Sequence, residues 1–169
     1  MADEKPITIA ARSVHQDRGA IIDHACEYAT TDLLCYRVED SPGLRERQQT
    51  VWQPLLQWAS DSLGATLKVT QGVLFVKQPP EALSRLRQAV EKLDDRNLAT
   101  LSVVTRVTGS LVIGLAVILG HIDAEAAFEA SQLDENWQSE KWGEDEEDIR
   151  HRDALKAEIS DAVEFMKSG

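Results

Sequence analysis

The chain has 169 residues, 43% of them hydrophobic and 28% charged, with a formal net charge of −11. That length suits one domain with a sizeable core. The negative charge speaks against nucleic acid and anionic membrane surfaces, and favours partners that are basic or transiently exposed.

Residues 1–18 show no steady period and read as a loosely tied N-terminal arm; the opening MADEKP has neither a basic n-region nor an apolar h-region, so no signal peptide is expected. Gly19–Thr30 reads as a short helix with Ile22, Cys26 and Ala29 on one face, followed by the compact link TDLLCYR (31–37), which can be extended. Cys26 and Cys35 are the only cysteines and lack metal-ligand spacing, so they read as buried free thiols.

Ser41-Pro42 is a helix start, a capping hydroxyl followed by proline at the first helical position. The helix runs to about Leu63 and Gly64 ends it; it carries Trp52 and Trp58 as structural candidates. Pro54 removes a backbone donor inside it and predicts a kink or restart near Trp52. The alternation Leu67, Val69, Val73, Phe75 around Gln71-Gly72 suggests a short β-hairpin near 66–76.

Pro79-Pro80 opens a helix through Leu93, with Leu83, Leu86 and Val90 inward. Asp95 begins a central apolar pair of helices, with Gly109 as a break and Gly114 as a place of close approach. The uninterrupted apolar run Leu111–Gly120 has ten residues, short of the roughly 20 that cross a bilayer, so it reads as a buried helix and not a membrane span.

Asp123 caps the next helix, expected to run unbroken to Gly143 and to carry the densest motif of the chain, SQLDENWQSEKWGEDEE (131–147). On one face Ala126, Ala130, Leu133 and Trp137 pack inward as core. On the other, Phe128, Ser131, Glu135, Gln138 and Trp142 form a second stripe, because residues two apart on a helix differ by about 200°. The last helix, from about Glu144 to Lys167, folds back over this stripe, or the stripe is an apolar and acidic groove for a protein partner, or each holds at a different end of it. From Asp123 onward there are fifteen acids and five Lys or Arg, so nearly all the excess charge sits in the last third; the run Glu144–Asp148 reads as a helix start and a solvated face.

Enzymatic signatures are poor. Nucleophile-elbow, zincin, P-loop and dinucleotide-binding motifs do not occur, and His15, His24, His121 and His151 have no ligand spacing. No catalytic residue, metal or cofactor is therefore expected; a small hydrolase or lyase using Glu135 with His121 or His151 is the weakest reading. The sum is a mainly α protein, a bundle of six or seven helices spanning 19–169 as a single domain behind the 1–18 arm.

Four motifs carry a resemblance: TDLLCYR (31–37), QTVWQPLLQW (49–58), GSLVIGLAV (109–117) and SQLDENWQSEKWGEDEE (131–147), in order from about Asp23 to the C-terminus. Together they resemble the family of assembly chaperones for the catalytic F1 sector of ATP synthase, whose members bind the alpha subunit before it meets beta. The resemblance implies a non-enzymatic chaperone with an orthogonal helical bundle, located in the bacterial cytoplasm or the mitochondrial matrix; the sequence leaves the oligomeric state open, with a monomer favoured. It points to Asp134, Glu135, Gln138, Glu140 and Trp142 as partner contacts, joined by Phe128 from the stripe, and to Gly143, Pro54, Trp52, Trp58, Leu133 and Trp137 as structural residues. Members of that family usually carry a further β-containing N-terminal domain ahead of the first motif, where this chain has thirty residues. The alternative is an acidic helical adaptor for another basic protein.

Overall fold

The computed structural model describes residues 4–169; Met1–Asp3, at the tip of the expected arm, lie outside the described residues. Among these are nine α-helices, two 3₁₀ turns and one pair of two-residue strands, so the fold is mainly α, with more helices than the six or seven expected. The helices are α1 Pro6–Gln16, α2 Arg18–Glu27, α3 Pro42–Leu63, α4 Pro80–Glu91, α5 Asp95–Thr108, α6 Leu111–Ile118, α7 Ala124–Ser131, α8 Leu133–Trp142 and α9 Glu146–Lys167. The strands are β1 Tyr36–Arg37 and β2 Thr70–Gln71. None of the described helices is long and apolar enough to cross a membrane.

The core is built around α5 and α6. Every residue from Leu111 to Val117 is buried, and α5 packs against α1, α2, α6 and α9. Gly109 ends α5 in the left-handed conformation (φ 74°), which lets the chain reverse into α6. Gly114 lies so close to α5 that a Cβ there would come within 2.8 Å of Leu101 Cδ1.

The loose arm expected at 1–18 is replaced by helix α1, with Ile7 and Val14 buried. Its inward face is Ile7, Ala10, Ala11 and Val14, a helical spacing hidden in sequence because two of its members are alanines. Helix α5 is buried on several sides, and α1 covers one of them.

The hairpin near 66–76 does not form. Instead β2 pairs in parallel with β1, in the register Tyr36↔Thr70 and Arg37↔Gln71. Gly72 turns the chain away (φ 72°) and donates its N–H to the Arg37 carbonyl, while the buried Gln78 side chain bonds both the N–H and the C=O of Lys68. With those backbone groups already taken, residues 73–76 have no strand partner, and Val73, Leu74 and Phe75 stand exposed.

Helix α3 runs unbroken through Pro54, with no restart near Trp52. The proline lies on the exposed side, where the carbonyl it leaves unbonded can be hydrated. Ser41 precedes α3 without a side-chain capping bond, so Pro42 at the first position and Gly64 at the end (φ 70°) delimit this helix. Trp52 is buried and donates its indole N–H to the Ala130 carbonyl at 2.9 Å, while Trp58 is partly buried and stacks on His121 at 5.1 Å between centroids.

One buried acid closes the centre. Asp32 is fully buried; its carboxylate accepts from the Leu34 N–H at 3.1 Å, the Ser110 hydroxyl at 2.6 Å and the Val112 N–H at 3.1 Å. It thereby ties the 3₁₀ turn Leu33–Cys35 to the start of α6. Burial outweighs these donors and pushes Asp32 up to about 6, from 3.8. A folded-state value above the unfolded one means that this group's contribution to stability is complete below the unfolded value and is lost as pH rises through about 6. The free-energy difference between the wild-type chain and Asp32→Asn, measured by urea unfolding, should therefore shrink by roughly 2–3 kcal/mol between pH 4 and pH 7.5. A difference that stays constant with pH would show that burial does not set this ionisation.

Candidate protein-docking cleft

The continuous helix expected from Asp123 to Gly143 is two helices. Asp123 does cap α7, accepting from the Ala126 N–H at 2.8 Å. At the far end Ser131 Oγ bonds back to the Phe128 carbonyl, and the Gln132 N–H is shared between Phe128 O and Glu129 O. Gln132 leaves the helical region (φ −102°, ψ 14°), and α8 starts with a new phase.

That break redistributes the predicted stripe. Phe128 is 4% exposed and belongs to the core, beneath Lys156 of α9. It cannot contact a partner in this fold, which corrects its assignment to the partner face. Trp137 and Leu133 depart from expectation the other way: α8 has no buried residue at all, and both are only partly covered. Leu133 packs on the edge of the core. Trp137 lies against Gly43 at the start of α3, where a Cβ would come within 2.5 Å of the indole.

Helix α8 is held to α3 chiefly by polar contacts. Gln48 is 1% exposed and spans two elements: its amide N donates to Asp134 at 2.9 Å and its amide O accepts from the Val38 N–H at 2.9 Å. Arg47 forks onto Glu140 with bonds of 3.0 and 2.7 Å, and its guanidinium lies 4.7 Å from the centroid of Trp137. The pair holds the Glu140 carboxyl below the usual carboxylate range. Asp134 and Glu140 thus face α3, on a different side from Glu135 and Gln138.

Glu135, Gln138, Trp142 and Gly143 come together in a cleft of about 550 Å³ between α8, the α5–α6 junction and the start of α9. Its other walls include Leu33, Gly109, Ser131, Arg106, His151 and Arg152. Trp142 is 82% exposed at the mouth. The last helix therefore covers one end of the stripe, at Phe128, and leaves the other end open. Partial desolvation raises the Glu135 carboxyl above its ordinary value, with the Asp134 charge adding to the effect.

The cations of the cleft were not identified from sequence. Arg106 pairs with Glu158 at 2.7 Å, and Arg152 bonds both Glu144, at 2.7 Å, and Asn136. No local spacing joins Arg106 to Glu158, which stand 52 residues apart. Gly143 ends α8 with φ 75° and ψ 178°, a conformation open to glycine, and lets the chain turn into α9. There Asp145 and Asp148 form a capping box, so two of the five consecutive acids serve the helix end. Among the described residues no group of three or more His, Cys, Asp or Glu could hold a metal ion.

A surface of this kind, with an exposed aromatic beside a charged, partly desolvated cleft, suits protein docking better than chemistry on a small molecule. The family described as ATP12 chaperone protein matches residues 4–60. Protein atp12, mitochondrial, of Schizosaccharomyces pombe is 26% identical over 149 residues, which are 81% of this chain and 51% of that protein. The chain thus spans about half the length of that curated relative. Among solved structures, Atp12 from Paracoccus denitrificans is 38% identical with a TM-score of 0.90, covering 94% of this chain and 68% of that one. The Atu1473 protein of Agrobacterium tumefaciens is 34% identical with a TM-score of 0.88, covering 94% of this chain and 60% of that one. With this identity across more than two thirds of a solved Atp12, the chain belongs to the ATP12 chaperone family.

Proposed function

We propose that this protein is a non-enzymatic assembly chaperone of the ATP synthase F1 sector, which holds the alpha subunit and shields its beta-facing surface until assembly. The observation that carries the reading is the open cleft beside α8, with Glu135 and Gln138 on its wall and Trp142 standing free at its mouth. An unassembled subunit exposes apolar surface that aggregates; Trp142 offers an aromatic anchor for it, and the acids around the cleft orient it through its basic groups. The excess of acids from Asp123 onward keeps the loaded complex soluble. Asp134 serves this surface by fixing α8 on α3 through the buried Gln48.

Co-purification with F1 alpha subunit, together with light scattering of alpha alone, tests the assignment. The wild-type chain is expected to form a complex and to suppress aggregation; absence of both would sink the proposal. Glu135→Lys should weaken that complex at least about tenfold while leaving helical circular dichroism intact, since it reverses charge in the cleft without touching the core.

Two aromatic substitutions separate docking from folding. Trp142→Ala should weaken the complex about tenfold yet change unfolding free energy by no more than about 0.5 kcal/mol. Phe128→Ala should destabilise the fold by about 3–5 kcal/mol, because it empties a core site. Equal effects of the two on stability would contradict this division.

A further inference from the structure

Helix α8 carries a second feature on the side away from the cleft. Glu140 receives both terminal nitrogens of Arg47, and the same guanidinium lies over the face of Trp137. A carboxylate fork beside an indole face is the chemistry that recognises a guanidinium. The seat is shaped for the ring, since Gly43 leaves room that any side chain would fill. Yet the pair is open to water, with Arg47 41% and Glu140 55% exposed. Exposed ion pairs contribute little net stability, so one guanidinium can exchange for another at small cost. Docking of α8 does not rest on Arg47 alone, because Gln48 holds Asp134 from the buried side. Lys141, 4.8 Å from the same indole, shows that the ring already accommodates a second cation.

We propose that Trp137 and Glu140 form an arginine-recognition site, which Arg47 fills in the free protein and an arginine of the bound client enters in its place. The client side of this statement rests on the chaperone reading above; the site itself does not. The recognised segment carries an exposed arginine, and the released Arg47 turns into solvent. Occupation by an internal arginine keeps Trp137 and Glu140 from engaging lysine-rich or weakly matching chains, because a displacing group must match a forked pair over a ring.

The site is tested first without a client, by titrating N-acetyl-arginine amide and N-acetyl-lysine amide while following the Trp137 indole N–H resonance. Arg47→Ala should respond to the arginine amide at a concentration at least tenfold lower than the wild-type chain, and only weakly to the lysine amide. Adding Glu140→Gln to Arg47→Ala should abolish the response. Identical titrations of wild type and Arg47→Ala, or no preference for arginine over lysine, overturn the site. Should Arg47→Ala lose helical circular dichroism, Arg47→Gln, which keeps part of the aliphatic stem over the indole, is held to the same outcomes.

The client is tested second, by the affinity for F1 alpha subunit. Arg47→Ala should bind at least threefold more tightly than wild type, and Glu140→Gln at least threefold more weakly. Unchanged affinities in both variants overturn the client's use of the site. A wild-type chain that binds no alpha subunit refutes the chaperone reading instead, and the amide titrations still decide the site.

Discussion

The structure depends on burying α6, a helix apolar on every side. Such a helix has no solvent face, so its exposed N–H groups must be satisfied inside the protein. Asp32 and Ser110 do this: the carboxylate takes the Val112 N–H and the Ser110 hydroxyl, and Ser110 Oγ in turn accepts from the Ile113 N–H. Because Asp32 also holds the Leu34 N–H, the same knot fixes the 3₁₀ turn, which leads into β1 and to Arg37 beneath Gln49 and Gln53 of α3. The cleft lies beside this knot, with Leu33 and Gly109 in its wall. That side of the cleft therefore rests on the residues next to the buried knot.

Its α8 wall is the reverse. Helix α8 buries no residue and is attached through Gln48, Arg47 and Arg152 to α3 and α9. Breaks at Gln132 and Gly143 isolate it from its neighbours in the chain. Apolar packing would fix such a helix irrespective of salt, whereas ion pairs and amide contacts respond to competing charges. Such exposed contacts can rearrange without disturbing the core.

The sequence made legible what local chemistry decides. Pro42, Gly64, Pro80, Asp123 and Gly109 mark element ends because backbone restriction and capping act within a few residues. Within α8 the spacing of Glu135, Gln138 and Trp142 predicts a shared face, and all three line the cleft. Phase was lost across Ser131 and Gln132, where a hydroxyl bond to a carbonyl one turn back ends a helix whose composition could have continued. Phe128 was misassigned for that reason. The parallel β1–β2 pair was invisible because its strands are two residues long and 33 residues apart, and its register is set by Gly72 and Gln78. Helix α1 escaped notice because alanines make a weak stripe that only the neighbouring α5 completes.

The acids show how charge count and function separate. Five consecutive carboxylates dominate the sequence, yet Asp145 and Asp148 are engaged in a capping box and Glu144 in the Arg152 pair. Three carboxylates of α8 differ more: Asp134 faces a buried amide, Glu140 a guanidinium, and Glu135 an open cleft without a bonded cation. Partial desolvation, helped by the neighbouring Asp134 charge and opposed by Arg152, raises the Glu135 carboxyl above its ordinary value. A basic group entering the cleft would therefore meet a carboxylate that no described ion pair already engages.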